Sequence, residues 1–270
     1  MDTDDSFIYT AQRLTKRILS DAIAVAIAPP VLLACGNLLL AGQTAEPIGI
    51  AINIATTFAT VGCRAYEVLT NKNLGLPYYV LGGVNGATAI SILANGYFHQ
   101  IPDQTPIQTL WNTAKNVLLP AIAFLGWGAG HFIKGRAEIS KNTPPAVLKN
   151  EQFYYGVGDI AAVHAQPIAT ISFLLGLART FCIKPDHSGE KLSTASSVFA
   201  KHATPAKFYA AGYIIGALTT GVANPGFSVA QILWSLGYAG MDHNENNSLI
   251  SDIQNLRKAK QPSPKKHPHL

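Results

Sequence analysis

Four long stretches of this chain carry no charged side chain: Ala22–Ala45, Pro47–Cys63, Leu74–Phe98 and Phe208–Met241. Lysine and arginine fall almost entirely in every second gap between such stretches. A bilayer core of about 30 Å asks for roughly 20 consecutive apolar residues per helix, and these runs are of that order. In lipid every backbone polar group must be satisfied internally, which leaves helices or closed barrels. Asp, Glu, Lys and Arg together make up only 13% of the chain, about half the share of a soluble domain. The expected fold class is therefore all-α: a polytopic integral membrane protein with about eight transmembrane or partly re-entrant helices, arranged as four helical hairpins.

The order of segments follows from apolar periodicity and breaks. Residues 1–18 read as an amphipathic N-terminal segment, since Phe7, Ala11, Leu14 and Ile18 recur at spacings of four, three and four. Arg13, Lys16 and Arg17 occupy its other faces, which suits a helix lying among lipid phosphates, although an ordinary solvated helix fits the same spacing. A helical membrane domain is expected over 19–242, with hairpins at about 19–64, 77–133, 153–179 and 208–241. Pro29-Pro30 should kink the first span. Phe208–Met241 is 34 residues long, roughly 50 Å as a single helix. That is too long for one crossing, so Asn224-Pro225-Gly226 is expected to turn it into two short legs. Residues 243–270 form a basic, proline-containing C-terminal tail. The acidic start, with Asp2, Asp4 and Asp5, is not expected to act as a secretory signal.

Charge orients the scheme. Four hairpins put 19 of the 20 basic residues on one side and leave only Lys115 opposite. Reading 153–178 as a single span would move the ten basic residues from Arg179 to Lys266 across the membrane. The positive-inside tendency favours two legs there and both termini cytoplasmic, in a bacterial-type inner or plasma membrane. Tyr78-Tyr79, Tyr154-Tyr155 and Phe208-Tyr209 each stand at a cytoplasmic end, where an aromatic belt is expected.

A hairpin repeat is suggested by two registers. Tyr79, Gly82 and Gly86 match Tyr209, Gly212 and Gly216, and Tyr155, Gly158 and Ala162 follow the same spacing. Val163 departs from the alanine at that position in the other two copies. These small residues, Gly82, Gly86, Gly158, Ala162, Gly212 and Gly216, are expected at helix contacts, because small side chains let helices approach in lipid. Such spacing also arises in any membrane helix.

Few polar groups lie inside the apolar segments. Asp159 is the one acid well inside, and an intramembrane carboxylate needs a partner or water. With His164, Asn85 and Asn53 it forms the candidate substrate or proton site. Asparagine in such helices also serves simple interhelical hydrogen bonding. His131 near the inner end of the fourth helix is a further polar group. No HExxH, GxSxG, phosphate loop or zinc-type cysteine pair is present, so no catalytic residue, metal or cofactor is expected. Cys35, Cys63 and Cys182 read as free thiols. The net charge of +5 lies between apolar spans and in the tail. It points to anionic headgroups on the cytoplasmic side, not to nucleic acid. Two functions fit: a small-solute transporter built from hairpins, with a small-molecule substrate, or a non-catalytic membrane accessory or assembly protein. Either is compatible with an oligomer.

Overall fold

The computed structural model describes residues 3–44, 47–98, 105–140, 144–162, 166–181, 198, 201–221 and 223–241. All regular structure among these residues is helical, with no strand. The elements are α1 (Thr3–Ala26), α2 (Pro29–Thr44), α3 (Pro47–Thr70), α4 (Leu76–Phe98), α5 (Pro106–Thr113), α6 (Leu119–Ile139), α7 (Pro145–Ala162), α8 (Pro167–Phe181), α9 (Pro205–Thr220) and α10 (Pro225–Met241). Each of the helices α2 to α10 carries proline at its first or second residue. Proline is suited to that place, because its missing N–H is one the helix could not satisfy anyway and its φ is preset.

The same chemistry sets the breaks. Ala28 precedes Pro29 and is driven away from helical ψ. The chain bends by 57° between Gln12–Ala26 and Pro29–Gln43, in line with the expected kink. Pro120 cannot donate to the carbonyl four residues back. The ladder widens into a π turn over Ala114–Leu118, where Leu119 N–H donates to Ala114 O, and α5 and α6 run on as one helical stretch, Pro106–Ile139. Asn224 starts α10 by accepting Phe227 N–H at 3.0 Å through its side chain. The sequence segments differ from these helices at several ends. Helix α1 runs unbroken across residues 18 and 19, α3 continues to Thr70, and α7 begins at Pro145. Polar residues with good helix propensity carry the last turns of α3 and the first turns of α7, and apolar periodicity cannot see them. The tail at 243–270 and Cys182 lie outside the described residues, while Cys35 and Cys63 are free thiols.

Among the described residues, three helical stretches are long and apolar enough to cross a membrane: Pro47–Thr70, Leu76–Asn95 and Pro106–Ile139. The bent pair α1–α2 makes a fourth if counted as one span. Helices α8, α9 and α10 have 15, 16 and 17 residues, about 23–26 Å each, short of a full hydrocarbon core. The surface nevertheless remains apolar. Ile48, Phe58, Ile90, Trp111 and Leu218 are exposed, while Thr60, Glu67, Asn85, Glu151, Asp159 and Gln231 are buried. Apolar outside with polar groups inside is the distribution expected of a helical protein in lipid.

Packing closes the helices on themselves. In the order α2, α3, α4, α6, α7, α8, α9, α10, each packs on the next, and α10 packs back on α2. Side-chain contacts distinguish two ends of this ring. At one, Asn73 donates to Glu138 and Lys134 donates to the Met241 carbonyl. At the other, Gln231 donates to Gln166, Thr220 pairs with Ser228, and Gly226 abuts Gln43.

The α3–α4 turn shows how tightly the first end is tied. Asn71 takes φ 53° after the last turn of α3. Lys72 N–H donates to Glu67 O and Asn71 N–H to Val68 O, a Schellman ending. Gly75 has φ 65°, and its backbone abuts Gly135 so closely that a side chain has no room. The buried Glu67 carboxylate accepts Leu74 and Leu76 N–H at 3.1 and 3.0 Å and pairs with Arg64 at 3.2 Å. Glu67→Ala leaves these donors unpaired and is expected to cost about 2–4 kcal/mol, with Glu67→Gln milder. Thermal unfolding of the purified variants checks this; an unchanged midpoint would mean that water serves these groups equally well.

Candidate functional site

Four helices each contribute a pair of side chains four residues apart to the middle of the ring. These are Trp127 and His131 on α6, Tyr155 and Asp159 on α7, Tyr209 and Tyr213 on α9, and Trp234 and Tyr238 on α10. Residues at i and i+4 share one helix face, so each pair faces inward together. Glycines bring the faces within reach. A Cβ at Gly126 would stand 2.7 Å from Tyr154 O and 2.8 Å from Gly158 N, so α6 and α7 cross backbone to backbone. One at Gly130 would stand 2.8 Å from the Tyr155 ring, and one at Gly212 would stand 2.7 Å from the Phe173 ring.

Asp159 is the centre of the cluster and is fully buried. Its Oδ1 accepts three hydrogen bonds: from Tyr213 OH at 2.5 Å, Trp127 Nε1 at 2.8 Å and Tyr238 OH at 3.0 Å. Its Oδ2 is buried with no partner. No described Lys, Arg or His forms an ion pair with it. Hydrogen bonds to a charged group are worth about 1.5–3 kcal/mol each, so three of them offset much of the cost of burying the carboxylate. All three donors are neutral, and no cation among the described residues pairs with the carboxylate.

The aromatic rings are ordered around this acid. Tyr213 and Tyr238 stack with centroids 5.6 Å apart, and Tyr155 meets Tyr238 edge-on at 5.5 Å. Tyr155 OH and His131 Nδ1 share a hydrogen bond of 2.8 Å. Tyr209 OH donates to Gln152 O at 2.8 Å. One ring of each expected belt pair, Tyr78, Tyr155 and Tyr209, is thus buried in the interior, while Tyr154 remains exposed. The Tyr155 and Tyr209 hydroxyls find partners inside the ring of helices, and the Tyr78 ring packs against His131; interior contacts override the headgroup preference.

Beside the acid lies a cavity between α2, α4, α6, α9 and α10. Its walls include the rings of Trp127, Tyr213, Trp234 and Tyr238, and Asn37, Asn85 and His131 supply polar groups. Trp234 Nε1 donates to Asn37 Oδ1 at 3.0 Å. Asn85 is buried, and its Nδ2 has no partner. The volume open to the centre of a water molecule is about 20 Å³, room for one water-sized guest.

Of the sequence candidates, Asp159 and Asn85 come together in this region. Asn53 does not: it sits half-buried on α3 and donates to Gly49 O of its own helix at 2.8 Å. His164 lies outside the described residues. Among the small residues, Gly82, Gly158, Gly212 and Gly216 stand at close approaches. Gly86 and Ala162 differ, since a Cβ at Gly86 meets nothing within 4 Å and Ala162 is exposed. Trp127, Tyr213, Trp234, Tyr238 and Asn37 were not among the sequence candidates. The signal that could have found them is the shared spacing of four, which places a polar-edged ring beside a second such group on four separate helices.

Chemically, the arrangement can hold a negative charge in a buried interior, exchange a proton at a free carboxylate oxygen, or attract a cation into an aromatic-walled space. No protein-family model, curated protein or solved structure matches the chain.

Proposed function

We propose that the chain is a multi-pass membrane protein that carries a small solute through the centre of its ring of helices. In this reading about eight helical segments form four hairpins, crossing fully or re-entering, with both termini cytoplasmic. The observation that carries the proposal is the buried carboxyl group of Asp159, with one oxygen unpartnered and no cation paired to it among the described residues, beside a cavity. A charge at that depth is costly, and in membrane proteins such groups mark ion, proton or substrate paths. The interhelical contacts support the orientation, because those of Asn73, Lys134 and Glu138 gather at one end of the ring, beside Lys72 and Arg136. That end is the basic one, as the positive-inside tendency requires of a cytoplasmic face.

Topology is tested by reporters fused after Gln43, Thr105, Ser188 and Leu270. The first two are expected outside and the last two inside; opposite signals at Ser188 and Leu270 would remove the four-hairpin arrangement. Transport is tested in liposomes across a broad panel of metabolites. Cation- or proton-dependent uptake should be present for the native protein and lost in Asp159→Asn while insertion stays normal. If no solute moves, the carrier reading fails.

A further inference from the structure

We infer that the aromatic-walled cavity beside Asp159 binds an ammonium-type monocation, ammonium itself or a primary amine as small as methylammonium. This names the solute class of the carrier reading and rests on that reading for its biological role.

Charge comes first. Among the described residues Asp159 is met only by neutral donors, its second oxygen is unpartnered, and no Lys or Arg lines the cavity. In an interior of low dielectric an unneutralised carboxylate acts over several ångströms, and a monocation one side chain away completes a neutral site.

The walls point the same way. Trp127, Tyr213 and Tyr238 line the cavity and donate their polar edges to the Asp159 carboxylate. Donation to an anion pushes electron density into a ring and strengthens the negative potential of its face. Trp234, the fourth ring, is held by Asn37 and lies 6.3 Å from Trp127 between centroids. Such faces attract ammonium groups.

Size and ligand chemistry narrow the class. About 20 Å³ admits one water-sized group such as ammonium without side-chain movement. Calcium and magnesium require six or more oxygen ligands or retained water, whereas the side-chain oxygens on these walls are few, those of Asn85, Tyr213 and Tyr238, and Asn37 Oδ1 is already used by Trp234. An ammonium group needs few acceptors and is well served by ring faces.

The test uses the full-length protein in lipid nanodiscs, titrated calorimetrically with methylammonium, ammonium, potassium, sodium and tetramethylammonium chlorides. Saturable binding of ammonium or methylammonium is expected, with potassium at least about tenfold weaker and tetramethylammonium excluded by size. Asp159→Asn should abolish binding. Trp234→Phe, which keeps a ring, should retain it, whereas Trp234→Leu should weaken it about tenfold; this pair decides the matter if Asp159→Asn does not fold. No saturable binding of either amine, equal binding of potassium, or equal affinity of the two Trp234 variants would overturn the inference. Flux is read separately. Methylammonium binding without uptake of any solute removes the carrier reading and leaves the site standing, and uptake of another solute without amine binding does the reverse.

Discussion

Asp159→Leu is expected to destabilise the purified protein by about 3–9 kcal/mol, and Asp159→Asn by much less. Leucine has the same branching, with bulkier methyl groups, but no acceptor. It would leave Trp127 Nε1, Tyr213 OH and Tyr238 OH buried together without the oxygen that receives all three. Each stranded donor costs about 1–3 kcal/mol, which sets the range. Removing a buried charge can stabilise a protein when its partners are replaced by apolar groups too; in this variant the partners stay. Asparagine keeps one carbonyl oxygen for the same donors, and its amide nitrogen takes the place of Oδ2, which has no partner to lose. Thermal or denaturant unfolding in one detergent compares the two. If both variants fall equally, the charge holds the cluster together and the acceptor does not. If leucine is the more stable, the hydrogen bonds contribute little.

Gly126→Leu is expected to prevent α6 and α7 from closing, with loss of the folded protein from the membrane fraction. The atoms a Cβ would meet belong to backbone, Tyr154 O at 2.7 Å and Gly158 N and Cα at 2.8 and 2.9 Å. Backbone cannot turn aside as a flexible side chain can, so even Gly126→Ala should cost about 1–3 kcal/mol. Gly86→Ala is the control. A Cβ there meets nothing within 4 Å, and alanine favours a helix over glycine by about 1 kcal/mol, so that variant should be neutral or more stable. Quantifying folded protein by size-exclusion chromatography distinguishes these outcomes. Equal yields for Gly126→Leu and the native protein would mean that α6 and α7 need not touch.

Much of the helical order was legible because proline and charge act locally. Pro29, Pro167 and Pro225 each mark a break that can be read from the chain, since a missing N–H and a restricted preceding residue need no tertiary partner. The same rule extends to Pro47, Pro106, Pro145 and Pro205, all at helix starts, and applying it throughout would have set the beginning of α7 correctly. Helix ends rich in polar residues, such as Arg64–Thr70, were not visible to apolar periodicity. Gly86 and Gly126 show the limit for packing. Both are glycines in apolar helices, yet one faces open space and the other faces a backbone.

The candidate site divides along the same line. Asp159 stood out because a carboxylate in an apolar segment is costly wherever the segment packs. Its partners did not stand out, because a tyrosine or tryptophan in a membrane helix serves equally in a belt, a lipid contact or an interior hydrogen bond. The sequence by itself determined that the chain is helical and suited to lipid, where most helices begin, and that one acid must be accommodated inside. Only the tertiary structure decided which rings receive that acid, which glycines touch, and that α10 returns to α2 around a cavity. Breaks and burial costs are properties of a few neighbouring residues, whereas convergence on one oxygen depends on the crossing of helices far apart in the chain.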